Sequence, residues 1–110
     1  MAKGTFIQKG ERIDYTNSTS GAIGYKDIIP LVTRIGIAQE DIAIGATGTV
    51  AVTGVIELPA DNTAAFAVGE QLYWDSTNNK LTKTANSNIP AGWCTEPKAT
   101  SSVTAKLKIG

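Results

Sequence analysis

The chain has 110 residues, 42% of them hydrophobic but only 6% aromatic, with ten Lys and Arg balanced by ten Asp and Glu. That length is one domain with a modest core of Val, Ile, Leu and Ala, a chain for which association would bury useful extra area. Zero net charge without a basic block excludes counterion-displacing nucleic-acid binding and a polybasic membrane patch, and no apolar run is long enough to cross a bilayer.

Short runs of Val, Ile and Thr, split by Gly, Asn and Pro, read as an all-β fold. The expectation is a small single-domain barrel or sandwich with at most one short helical turn and an N-terminal arm. The opening Met1-Ala2-Lys3-Gly4-Thr5 lacks a signal peptide's apolar stretch, so synthesis in the cytoplasm is expected. Residues 1–21 read as an arm alternating around Ile7, Ile13 and Tyr15, then a flexible polar tract from Thr16 to Gly21. Asn17-Ser18-Thr19 matches a glycosylation sequon by chance. Residues 22–110 form the β-rich core.

Within that core, Asp27 to Val32 reads as an edge or bent strand, because Pro30 cannot donate to a ladder, and Arg34 to Ala38 continues it. Gly45 and Gly48 bracket a tight turn. Thr49 to Leu58 is apolar or small on both faces and reads as one central strand, with Gly54 marking a bulge or close approach and Pro59 its end. Thr63 to Ala67 is a helical turn or a strand. Gln71–Asp75 and Lys80–Thr84 form a hairpin about Ser76–Asn79, where Asn tolerates positive φ. Pro90 to Thr95 is a short strand. In the closing strand, Val103, Ala105, Leu107 and Ile109 face in, and Thr104, Lys106 and Lys108 face out. A weak echo links residues 22–29 to 66–73. Both read as generic loop-to-strand entries, too short for a duplicated domain.

The chemistry is as informative for what is missing. The chain has no histidine and one cysteine, Cys94. A neutral-pH general base, an ordinary zinc site and an intrachain disulfide are therefore absent, and Cys94 reads as a buried inert thiol. There is no Gly-Lys dipeptide for a phosphate loop, no nucleophile elbow and no calcium loop. The acids Glu40, Asp41, Glu57 and Asp61 read as solvated. No enzyme activity, cofactor or metal is expected. Tyr73, Trp74 and Trp93 lack the basic stripe of a base-stacking surface and read as core or subunit-interface residues.

The ordered set Ile13-Asp14-Tyr15-Thr16, the run from Gly45 to Pro59, Val68-Gly69-Glu70-Gln71-Leu72-Tyr73-Trp74-Asp75, Pro90-Ala91-Gly92-Trp93 and Val103-Thr104-Ala105-Lys106-Leu107 resembles a family of small phage and prophage capsid cement proteins. Ile56 stands in place of the family's usual aromatic and Leu72 in place of Val. The family is similar to lambda-type head decoration proteins, which trimerise on capsids. Some members carry a recombinase-like label, an activity for which this chain lacks the phosphate loop.

The resemblance implies a structural virion protein on the capsid exterior that binds the major capsid protein as a homotrimer and resists internal DNA pressure, with no direct nucleic-acid or membrane contact. Thr5, Ile7, Ile13 and Tyr15 of the arm are the candidate capsid contacts, although the arm reads equally as a first barrel strand. Tyr73, Trp74 and Trp93 are the candidate self-association residues. Two rival classes make different demands. A glycan- or ligand-binding β module requires an exposed aromatic platform and a concave pocket, and a small hydrolase requires converging carboxylates with one raised pKa.

Overall fold

The computed structural model describes residues 1–110. It has nine strands and no helix: β1 (Arg12–Thr16), β2 (Ile28–Leu31), β3 (Arg34–Ala38), β4 (Thr47–Ala51), β5 (Gly54–Pro59), β6 (Gln71–Asp75), β7 (Lys80–Thr82), β8 (Ile89–Cys94) and β9 (Thr104–Ile109). They build two antiparallel sheets, β1-β4-β3-β2 and β5-β9-β8-β6-β7, in a sandwich-like arrangement. A single parallel bridge between Ala60 and Leu81 ties the two ends of the second sheet together. One bridge is not a ladder, so the barrel is not closed.

Two expected strands divide. Thr49–Leu58 is not one strand: β4 ends at Ala51, and the chain crosses to the other sheet at Val52-Thr53-Gly54. Gly54 has φ +133°, a backbone conformation open to glycine at little cost, and it makes the crossing possible. Asp27–Ala38 is likewise a hairpin, with Val32 and Thr33 at its tip and Leu31 opposite Arg34. Val32 holds φ +44° and is 95% exposed. A β-branched residue is an unusual occupant of such a turn, so no Gly or Asn flagged it. β2 does lie at a sheet edge, as Pro30 requires. Thr63–Ala67 contains no helical turn, and Phe66 makes an isolated bridge to Lys98.

β9 keeps its alternation, with Ala105, Leu107 and Ile109 buried, but Val103 stands 63% exposed in the turn before the strand. The principal core joins Ile35 and Ile37 to Phe66, Leu72, Trp74, Leu81, Leu107, Ile109 and neighbours. A second, smaller core of Ile23, Ile29, Ala38, Ile42 and Val50 belongs to the first sheet alone.

Both sheets follow one plan. In each, an isolated bridge (Ile23 with Ile42, Phe66 with Lys98) is followed on both arms by a turn and then a strand. The four turns close with equivalent bonds: Asp27 N–H to Gly24 O at 3.0 Å, Ala46 to Ala43 at 2.9 Å, Glu70 to Ala67 at 3.1 Å and Ser102 to Ala99 at 3.1 Å. Lys26, Gly45 and Gly69 occupy the same positive-φ position in three of them. The Asp27 and Glu70 carboxylates each accept from the amide at their turn's start, Gly24 at 2.8 Å and Ala67 at 2.9 Å.

The correspondence runs onward. Ala38 N–H bonds Asp27 O as Cys94 N–H bonds Glu70 O. Gly36 pairs with Ile29 as Gly92 pairs with Leu72. Asn17 N–H bonds Ala46 O as Ala60 N–H bonds Val103 O. Thus β1, β2, β3 and β4 match β5, β6, β8 and β9. Strand β7 and its flanking loops are an addition in the second sheet, inserted where the first has only the Val32-Thr33 turn.

Candidate interaction surfaces

The arm divides at Glu11. Residues 1–10 lie outside both sheets, with Phe6 101% and Ile7 87% exposed and Thr5 exposed beside them. The first firm anchor is the Glu11 carbonyl, which accepts from Val52 N–H at 2.9 Å. β1 follows, and its register on β4 turns Ile13 and Tyr15 inward against the smaller core while Arg12, Asp14 and Thr16 face solvent. Of the four arm candidates, then, Thr5 and Ile7 are free and Ile13 and Tyr15 are half-buried.

The sheet edges differ in what they offer. At β2, ladder alternation from the two-residue turn aims Pro30 outward, where it has no N–H to give. The β5 edge is tied to β7 by the Ala60–Leu81 bridge and by Asp61 N–H to Leu81 O at 2.8 Å. β7 has three residues. β1 has five, and by the same alternation the amides and carbonyls of Arg12, Asp14 and Thr16 face outward.

Tyr73 and Trp93 share the outer face of the second sheet. Trp93, 43% exposed, lies in a cross-strand row with Val55, Lys108 and Gln71. Trp74 does not join them: strand alternation puts its indole in the principal core at 4% exposure. Exposed Trp74 and Trp93 side by side, the platform expected of a glycan binder, do not form.

A cleft of about 820 Å³ opens between the sheets. Tyr15, Ile23 and Ile29 form one wall and Leu58 and Trp74 the other, with Asp27, Glu57 and Lys26 among its polar groups. Nothing in the sequence marked it, because its walls come from segments far apart in the chain. The smaller pocket beside it shares Lys26, Glu57 and Leu58.

Asp61, Glu70 and Asp75 all hold their protons less tightly than ordinary carboxyl groups, opposite to a general acid. The Thr63 hydroxyl and amide hold Asp61 below the usual carboxylate range, the Ala67 amide lowers Glu70, and the Asn78 side chain and amide lower Asp75. Each acid serves its own turn. Lowered folded-state values mean stabilisation that is present above the ordinary values of 3.8 for Asp and 4.5 for Glu and lost as pH falls through the folded values. With no histidine in the chain, the melting temperature is expected to stay level from about pH 5 to 9 and fall below about pH 4. Thermal melts across that range check it.

Cys94 is fully buried, as expected, and its thiol donates to the Glu96 carbonyl at 2.9 Å. Asn17 of the sequon is also fully buried. Its side chain bonds Thr19, Gly21 and Ile42, so the Asn-x-Thr pattern forms a turn and offers no glycan acceptor.

Comparisons with curated proteins and with solved structures return no match. A family model described as phage cement protein does match, over residues 7–109. It runs from the free arm through both sheets to the end of β9. With that span covered, the two-sheet, helix-free chain belongs to the phage cement protein family, structural proteins that stabilise the capsid.

Proposed function

We propose that this chain binds the assembled lattice of the major capsid protein as a homotrimer on the capsid exterior and holds it against the pressure of packaged DNA. A ligand that binds the assembled state and not the free subunit stabilises assembly by linkage. Three copies on a local three-fold site turn weak contacts into avidity.

The observation that carries the reading is the free arm, with Thr5 and Ile7 exposed, running into the edge strand β1. An extended arm can add to a sheet edge on the capsid, its main chain supplying affinity and Ile7 the apolar anchor, while Ile13 and Tyr15 hold β1 in place. Tyr73 and Trp93, with Trp74 packed behind them, are the proposed self-association face.

Deleting residues 2–10 tests the arm and spares β1 and the Glu11–Val52 bond. The truncated protein is expected to fold with an unchanged β-sheet circular dichroism spectrum and to lose co-sedimentation with expanded capsids, unexpanded shells serving as control. Decoration by the truncated chain at wild-type levels would sink the proposal.

A further inference from the structure

The shared plan of the two sheets shows what the first one lacks. In the second sheet, β7 lies along β6 and places Leu81, fully buried, in the principal core. The first sheet has no such strand beside β2, and Tyr15, Ile23 and Ile29 of its smaller core instead line the open cleft. Pro30 occupies on β2 the position that Tyr73 holds on β6, and with its N–H missing an added strand would lose a ladder bond. The vacancy therefore suits an inserted side chain better than a full paired strand.

The arm carries a fitting side chain. In an extended chain neighbouring residues point to opposite sides. If Thr5 and Ile7 face the lattice, Phe6 faces away from it. Residues 1–10 include Lys3 and Lys9 and no acid. The cleft includes two acids, Asp27 and Glu57, against one base, Lys26. A molecule's own arm is badly placed to fill its own cleft. No residue of 1–10 lines the cleft and Phe6 is 101% exposed, while the arm joins β1 at Arg12, about 10 Å along the strand from the cleft-lining Tyr15.

We infer that the cleft between the sheets receives Phe6 from the arm of a second copy of this chain, so that arm exchange links the subunits. The inference rests on the proposed lattice-facing role of Ile7 for the orientation of the arm, and the experiment separates the two.

Sedimentation equilibrium and capsid co-sedimentation are measured for full-length Phe6→Asp and Ile7→Asp. Phe6→Asp is expected to weaken self-association by about tenfold or more in Kd. Ile7→Asp is expected to leave self-association within about twofold while abolishing capsid binding. If Ile7→Asp still decorates capsids, the arm–lattice reading fails, and the cleft is judged on the association data alone. Glu57→Lys is expected to weaken association, and Lys9→Glu with Glu57→Lys to restore part of it.

In a Cys94→Ala background, which places at Cys94 the alanine found at its counterpart Ala38, Phe6→Cys with Ser76→Cys is expected to give a disulfide between chains. Unchanged association in Phe6→Asp, a cross-link formed within one chain, or a wild-type protein that stays monomeric at every concentration would each overturn the inference.

Discussion

Gly92→Ala is expected to lower folding stability by about 4 kcal/mol, from about 1–3 kcal/mol of overpacking and a similar amount of backbone strain. Gly92 sits in β8, between β6 and β9, paired with Leu72 and Ile109. Its φ is +158°, at the margin of the region that favours glycine, and an added Cβ also meets a steric conflict. A Cβ there would overlap the Lys108 carbonyl oxygen and stand 2.9 Å from its carbon and 3.2 Å from Ile109 Cα. These are backbone atoms of a paired strand and cannot rotate away. The register on β6 also shifts here, between Leu72 and Tyr73, so the close approach is part of a bulge.

Gly36, its counterpart in the first sheet, supplies the control. A Cβ on Gly36 meets Val50 Cγ1 at 2.5 Å and the Ala51 carbonyl oxygen at 3.3 Å. The worst contact is a side-chain methyl, and Gly36 has no positive φ. Gly36→Ala should therefore cost about 1–3 kcal/mol. Urea unfolding measures both as a shift in midpoint at constant slope. For a domain whose whole stability is about 5–15 kcal/mol, the Gly92 change is large enough to depress yield. A cost below about 1 kcal/mol for Gly92→Ala would mean that β8 and β9 can move apart at Gly92 and that their close approach there is not fixed.

Most of the strands were legible because their signals are local. Lys106 and Lys108 alternate with Leu107 and Ile109, Pro30 marks an edge, and the Asn-rich loop after Asp75 marks a hairpin. The shared plan of the two sheets was far less legible. The echo between residues 22–29 and 66–73 lies one residue out of phase with the true correspondence, which sets Ile23 against Phe66 and Asp27 against Glu70. What repeats is a set of main-chain bonds and turn conformations, and these tolerate Lys26 where Gly69 stands and Lys98 where Ile42 stands. The β7 insertion then breaks the spacing between matched residues. The break after Ala51 was hidden because Val52, Gly54 and Val55 continue the apolar pattern through the crossing. Of the candidate surfaces, Ile7 lies in the arm that the sequence set apart, whereas no sequence signal separated exposed Trp93 from buried Trp74. The burial of Trp74 follows from its place on the opposite side of β6 from Tyr73, and composition alone could not say which of these two adjacent aromatics turns inward. The cleft depends on long-range packing and has no local signature.

The other large effect is expected at Asn17, and its direction can be argued from chemistry as well as position. Asn17 is fully buried. Its amide nitrogen donates to Gly21 O at 2.9 Å and Ile42 O at 3.0 Å, and its Oδ1 accepts from the Thr19 amide at 3.0 Å and hydroxyl at 2.5 Å. These bonds fold the Thr16–Gly21 tract back onto the Ile23–Ile42 bridge. At the matching place in the second sheet stands Ala60, so the backbone geometry itself accepts alanine. Asn17→Ala should then cost about 2 kcal/mol, the loss of several buried hydrogen bonds moderated because Ile42 O also accepts from Ile23 N–H. Asn17→Asp is nearly the same size but should be worse, at about 3 kcal/mol. It keeps the acceptor, loses both donations and places a carboxylate against two carbonyl oxygens. If size or the number of hydrogen bonds kept decided, Asp would be the milder change; if the buried carboxylate against two carbonyl oxygens decides, Ala is milder. Urea midpoints rank the two, and amide exchange at Ile23 and Ile42 locates the loss in the first sheet. This tract leads directly out of β1, so the same variants should loosen the edge strand whose other end carries the arm. Capsid co-sedimentation should therefore weaken in the same order, Asp below Ala below wild type, at temperatures where all three remain folded.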